Sequence, residues 1–114
     1  MIGMNRIQSL SNRIVREFKP QRIVLFGSHA YGVARADSDV DLLVVMPFKG
    51  SGLRKAVEII RTVKPQFSVD LLVRRPQEVE FRLANNDWFL RDVFEQGRTL
   101  YESPDRGVGG KGGR

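Results

Sequence analysis

Two apolar runs with a short polar insert between them constrain this chain more than anything else in it. Ile23-Val24-Leu25-Phe26 leads into the insert, which runs from Gly27 to Asp41, and Leu42-Leu43-Val44-Val45-Met46 leads out of it. Short aliphatic and β-branched runs bounded by turn residues read as strands. The insert is therefore pinned at one edge of a sheet. A small-residue turn, Gly27-Ser28, stands at its start, and two carboxylates two residues apart, Asp39 and Asp41, stand at its end.

The rest of the chain supplies helices to cover that sheet. Ile7, Leu10, Ile14, Val15 and Phe18 fall near helical spacing, and Pro20 ends the segment from Met4 to Phe18. Arg22–Phe26 is the first strand. Ser28 is expected to cap a short helix through Ala30 and Tyr31, with Gly32 ending it. Asp39–Met46 is mostly apolar, as a central strand buried on both faces would be. Gly50-Ser51-Gly52 reads as a mobile break before a three-turn helix, whose inward face is either Leu53, Val57, Ile60 and Val63 or Ala56, Ile59 and Ile60. Phe67–Val73 is a third strand, and Pro76 suits the first turn of another helix. Asn86–Gln96 is amphipathic, Gly97 closes it, and Thr99-Leu100-Tyr101 reads as an edge strand. The aromatic set Phe81, Trp88, Phe89 and Phe94 is expected to complete the core, or in part to form a partner-binding face.

The order is α-β-α-β-α-β-α-α-β, an α/β (α+β) class chain with a mixed sheet flanked by helices. At 114 residues it holds one small domain, placed at 1–104, with a disordered Gly-rich basic tail at 105–114. Apolar residues at 41% and charged residues at 28% are ordinary for a globular protein. The absence of cysteine excludes disulfides and thiolate metal sites and fits a cytoplasmic setting. No run approaches the length of a membrane span or a signal peptide. The net charge of +6 attracts nucleotides or an acidic protein partner; direct nucleic-acid binding has no aromatic-basic motif behind it.

The carboxylates carry the chemistry. Residues two apart in a strand share a face, so Asp39 and Asp41 point together while Val40 points into apolar packing. Adjacent carboxylates repel unless a cation or water compensates them, and oxygen ligands suit magnesium or manganese. Asp70 lies inside the third apolar run; if that strand neighbours the second, it joins the pair. Three carboxylates around two such ions make a clamp for in-line displacement at phosphorus, with Asp70 also able to accept a proton. Gly27 permits close approach of main chain to phosphate, and Ser28 offers a hydroxyl and an N–H.

Competing motifs fail. Gly27 to Gly32 has the glycine spacing of a Walker loop, but Val33-Ala34 replaces the required Lys-Ser/Thr, and no dinucleotide fingerprint occurs. Lys111 lies in a glycine tail with no strand before it. His29, the one histidine, is read as a solvent-facing loop residue in the absence of nucleotide contact. No Gly-x-Ser-x-Gly elbow supports a hydrolase triad.

Gly27-Ser28, ten residues, then Asp39-Val40-Asp41, with Asp70 in a later strand, resembles the nucleotidyltransferase superfamily that includes DNA polymerase beta. The short chain resembles its minimal, MNT-domain members, over roughly residues 5–102. The resemblance implies Asp39, Asp41 and Asp70 as catalytic metal ligands and Gly27 and Ser28 as the nucleotide-binding turn. It further implies two magnesium ions and transfer of a nucleoside monophosphate from ATP or another NTP to an acceptor. Minimal members commonly pair with a small helical HEPN protein and act as its antitoxin, by adding AMP to a tyrosine of that toxin. One departure is Tyr31, where many relatives carry arginine; Arg35 is the nearest replacement charge. The alternatives are a small-molecule, antibiotic-type nucleotidyltransferase subunit and a non-catalytic antitoxin acting by binding alone. Self-association into a homo-oligomer is compatible with the sequence.

Overall fold

The computed structural model describes residues 2–104, so the expected basic tail lies outside the described residues. Four strands form one mixed sheet in the order β3-β2-β1-β4. β1 (Arg22–Phe26) runs antiparallel to β2 (Val40–Val45) on one side and to β4 (Arg98–Glu102) on the other. β2 pairs in parallel with β3 (Val69–Arg74) through a crossover that contains α3 (Gly52–Val63). β4 is an edge strand, as its exposed, polar-rich sequence anticipates.

Strand alternation divides the core into two layers. Ile23, Leu25, Val40, Leu42, Val44, Leu71 and Val73 meet α1 (Met4–Phe18) and α3 on one face. Helix α1 presents Ile7, Leu10 and Ile14 to that layer, and α3 presents Ala56, Ile59 and Val63. Of the two α3 registers open to the sequence, the one led by Ala56 and Ile59 is buried, while Leu53 stays exposed. Val24, Leu43 and Val45 meet α4 (Pro76–Ala84) and α5 (Trp88–Gln96) through Val79, Leu90 and Val93 on the other face. Burying this many aliphatic side chains, each worth about 1.5–3 kcal/mol, holds a small sheet together.

Several local expectations change. Ser28 does not cap α2 (Ser28–Tyr31); Gly27 holds the cap position and no side chain closes the turn. Gly32 ends α2 in the left-handed conformation as expected. The Gly50–Gly52 break is tied down at both sides: the Ser51 hydroxyl caps α3 by accepting from the Arg54 amide. The Arg75 guanidinium meanwhile donates to the Phe48 and Gly50 carbonyls. Phe81 and Trp88 do not complete the core; they stand 68% and 77% exposed. Their helical spacing places them on the outward faces of α4 and α5, while Phe94 packs inward under Arg22.

Candidate active site

The insert ends where β2 begins, and the parallel ladder sets what faces what. Asp41 lies directly opposite Asp70, and Val40 opposite Val69. The ladder is prolonged by one bond, from the Val40 amide to the Ser68 carbonyl at 2.9 Å. Asp39 is thereby brought beside Ser68, whose hydroxyl donates to Asp39 Oδ1 at 2.5 Å. Alternation puts Asp39, Asp41 and Asp70 on the face that carries Leu43, Val45 and Leu72, at the end of the α4–α5 layer. Val40 points the other way and is fully buried.

The third side of the site is the turn after β1. Phe26 pairs across the antiparallel ladder with Asp41, so Gly27 follows at the very edge of the carboxylates. Gly27 adopts φ 76° and ψ −158°, a conformation close to glycine-only territory. A Cβ built there would overlap Asp41 Oδ2. The turn and the carboxylate are packed main chain against side chain, and only a residue without a side chain permits it.

The electrostatics follow from that crowding. Asp41 is half-buried, and its carboxyl is pushed above the ordinary aspartate value. Burial is the leading cause, followed by the charges of Asp70 and Asp39; the His29 imidazole opposes them. Repulsion between oxygens of like charge favours a bound cation or proton. Asp39 and Asp70 are exposed at the rim, open to whatever compensates them. Among the described residues, no three acidic or histidine side chains are already drawn into a closed metal cage. The donor set nevertheless suits a hard divalent cation, which takes carboxylate, water and phosphate oxygens and keeps several waters.

Residues around the insert have structural partners that spacing did not disclose. His29 is half-buried rather than solvent-facing, and its Nε2 lies 3.2 Å from the Ser38 carbonyl, tying α2 to the end of the insert. The Ser38 hydroxyl accepts from the Arg35 amide and folds the loop before Asp39. The Tyr31 hydroxyl donates to Asp92 Oδ2 at 3.1 Å, joining α2 to α5. Ser68 went unnoticed in the sequence, although its position two residues before Asp70 repeats that of Asp39 before Asp41.

The family model of the nucleotidyltransferase domain matches residues 7–101. No curated protein sequence matches the chain. Among solved structures, a candidate nucleotidyltransferase from Sulfolobus solfataricus superposes with a TM-score of 0.60 at 17% identity, covering 86% of this chain and 78% of that one. A toxin–antitoxin structure with AMP-PNP gives 0.58 at 20% identity, covering 85% and 74%. The toxin–antitoxin MntA-HepT gives 0.55 at 18% identity, covering 89% and 74%. At these identities the likeness is one of fold.

Proposed function

The chain belongs to the nucleotidyltransferase domain family, and from that membership we propose that it is a minimal, MNT-type enzyme that moves AMP from ATP to a hydroxyl of a protein acceptor. In this reading it is the antitoxin of a toxin–antitoxin pair, and the acceptor is a small helical HEPN toxin. The observation that carries the reading is the in-register placement of Asp41 and Asp70 on parallel strands, with Gly27 pressed against Asp41. The toxin–antitoxin neighbours, one of them holding AMP-PNP, support the choice of nucleotide and partner.

The family generally uses divalent metal ions. Asp39, Asp41 and Asp70 would hold them here, and a bound ion would neutralise triphosphate charge and acidify the attacking hydroxyl. The chain's own groups supply the remainder. Gly27 lets main chain approach the β- and γ-phosphates, and Ser28 presents its hydroxyl and amide to them. Asp70, the more open of the facing pair, accepts the proton of the acceptor hydroxyl. That oxygen bonds to the α-phosphorus, the bond to the bridging oxygen breaks, and pyrophosphate departs.

The test mixes the purified protein with magnesium, α-labelled ATP and the proposed acceptor, a small helical HEPN toxin encoded beside it. The partner should become labelled. No label with any of the four nucleoside triphosphates, while the two proteins still form a complex, rejects the enzyme. If Asp39→Asn with Asp41→Asn still neutralises the toxin, contact alone is the mechanism.

A further inference from the structure

Exposed aromatic side chains stand beside the site and take no part in the proposed transfer. Trp88, at the first turn of α5, is 77% exposed, and Phe89 is 37% exposed. Their rings meet edge to face, with centroids 6.4 Å apart. Phe89 in turn meets Phe26 edge to face at 5.7 Å. Phe26 is the residue opposite Asp41 and immediately before Gly27. The rings thus lead away from the carboxylates by one strand spacing, from Asp41 to Phe26, and then by two ring contacts, to Phe89 and to Trp88. The Tyr31–Asp92 hydrogen bond fixes α5 against the phosphate-side turn, and Asp92 lies one helical turn after Trp88 on the same face. Large aromatic rings cost free energy to leave in water, and the exposed Trp88 indole, reached from Asp41 through Phe26 and Phe89, suits a planar partner.

We propose that the Trp88 indole, buttressed edge to face by Phe89, is the stacking platform for the base of the nucleoside triphosphate. This rests on the nucleotidyl-transfer reading and adds the subsite that reading leaves open. Base–aromatic stacking tolerates any base, so the platform contributes affinity for a nucleoside over bare polyphosphate and only weak discrimination among bases. The edge-to-face contacts keep the Phe89 ring in one orientation before nucleotide arrives.

Trp88 is the one tryptophan of the chain, so its fluorescence reports the site directly. In magnesium, ATP should change Trp88 emission saturably, and inorganic tripolyphosphate should bind without that change. By calorimetry, Trp88→Ala should weaken ATP about tenfold, leave tripolyphosphate affinity as it was, and be largely restored by Trp88→Phe. Its exposed position makes the substitution safe for folding, which a thermal melt verifies. Equal ATP affinity in Trp88→Ala, or equal loss of ATP and tripolyphosphate, overturns the platform and leaves nucleotidyl transfer standing. If the unaltered protein binds neither ligand, the transfer reading fails and the platform with it. If toxin binding falls in Trp88→Ala while ATP affinity holds, the rings are a protein-docking face and the proposal is wrong.

Discussion

Gly27 and Asp41 occupy each other's space: the main chain of one sits where a side chain would strike Oδ2 of the other. Gly27→Ala must therefore push the carboxylate aside and also hold a left-handed backbone. We expect a loss of about 1–3 kcal/mol of stability and near-complete loss of transfer. Adding Asp41→Ala relieves the overlap but not the backbone strain. A double-mutant cycle by denaturant melts should recover part of the loss; strict additivity would contradict the contact.

The raised carboxyl of Asp41 has a definite pH signature. Its proton is held more tightly in the folded chain than in the unfolded one, whose value is near 3.8. The stabilising contribution is complete below that value and is lost as pH rises through the higher folded-state value. At neutral pH, without metal, the ionised group is a liability. Asp41→Asn in EDTA should melt a few degrees higher at pH 7, about 1 kcal/mol or less given solvent screening. The gain should shrink toward pH 3 or so, and a gain independent of pH would rule the account out.

Asp70 and Asp41 should separate kinetically. Asp70→Asn keeps the fold and most nucleotide affinity but should lower kcat about 100-fold or more, as removal of a general base does. Asp41→Asn should lose metal-dependent ATP binding as well. Parallel binding and rate measurements on both variants check this, and equal binding defects would erase the distinction.

Ser68 orients Asp39 through its hydroxyl. Partners that orient a metal ligand typically contribute tenfold or more in affinity or activity, so Ser68→Ala should raise the magnesium requirement about tenfold. Both residues are exposed, so the melting temperature should hardly move. A magnesium titration of activity beside a thermal melt gives both numbers.

Arg75 stacks its guanidinium 4.1 Å from the Phe48 ring centroid while donating to the carbonyls of Phe48 and Gly50. Arg75→Ala removes those contacts together and should cost about 1–2 kcal/mol. Arg75→Lys recovers little, because an ammonium cannot make the planar fork. Hydrogen exchange across residues 47–52 should rise in both variants, and an unchanged rate would remove Arg75 from this role.

Much of the architecture was readable in the sequence because apolar period and turn residues agree. Met4–Phe18 is a helix with those bounds, and the strand of Arg22–Phe26 begins and ends as its residues suggest. Adjacency of Asp41 and Asp70 could only be conditional, since strand order is a tertiary fact that spacing within one strand does not hold. The aromatic residues misled for a related reason. Helical spacing gives Phe81 and Trp88 each a face of its own helix without saying which face meets the sheet, and α4 and α5 turn Val79, Leu90 and Val93 inward instead. His29, Tyr31 and Ser68 find their partners 9, 61 and 29 residues away, across loops whose paths no local pattern encodes.

The parallel pairing of β2 and β3 has a consequence for how such a small protein can change. Both strands enter the sheet at the edge that carries the carboxylates, and the separation of their acidic residues is fixed by peptide-to-peptide bonding. The connecting helix lies on the opposite face, away from the carboxylates. Its outward face, with Leu53 and Val57 exposed, is therefore free to drift toward new partners while the spacing of the charged groups stays as the backbone dictates.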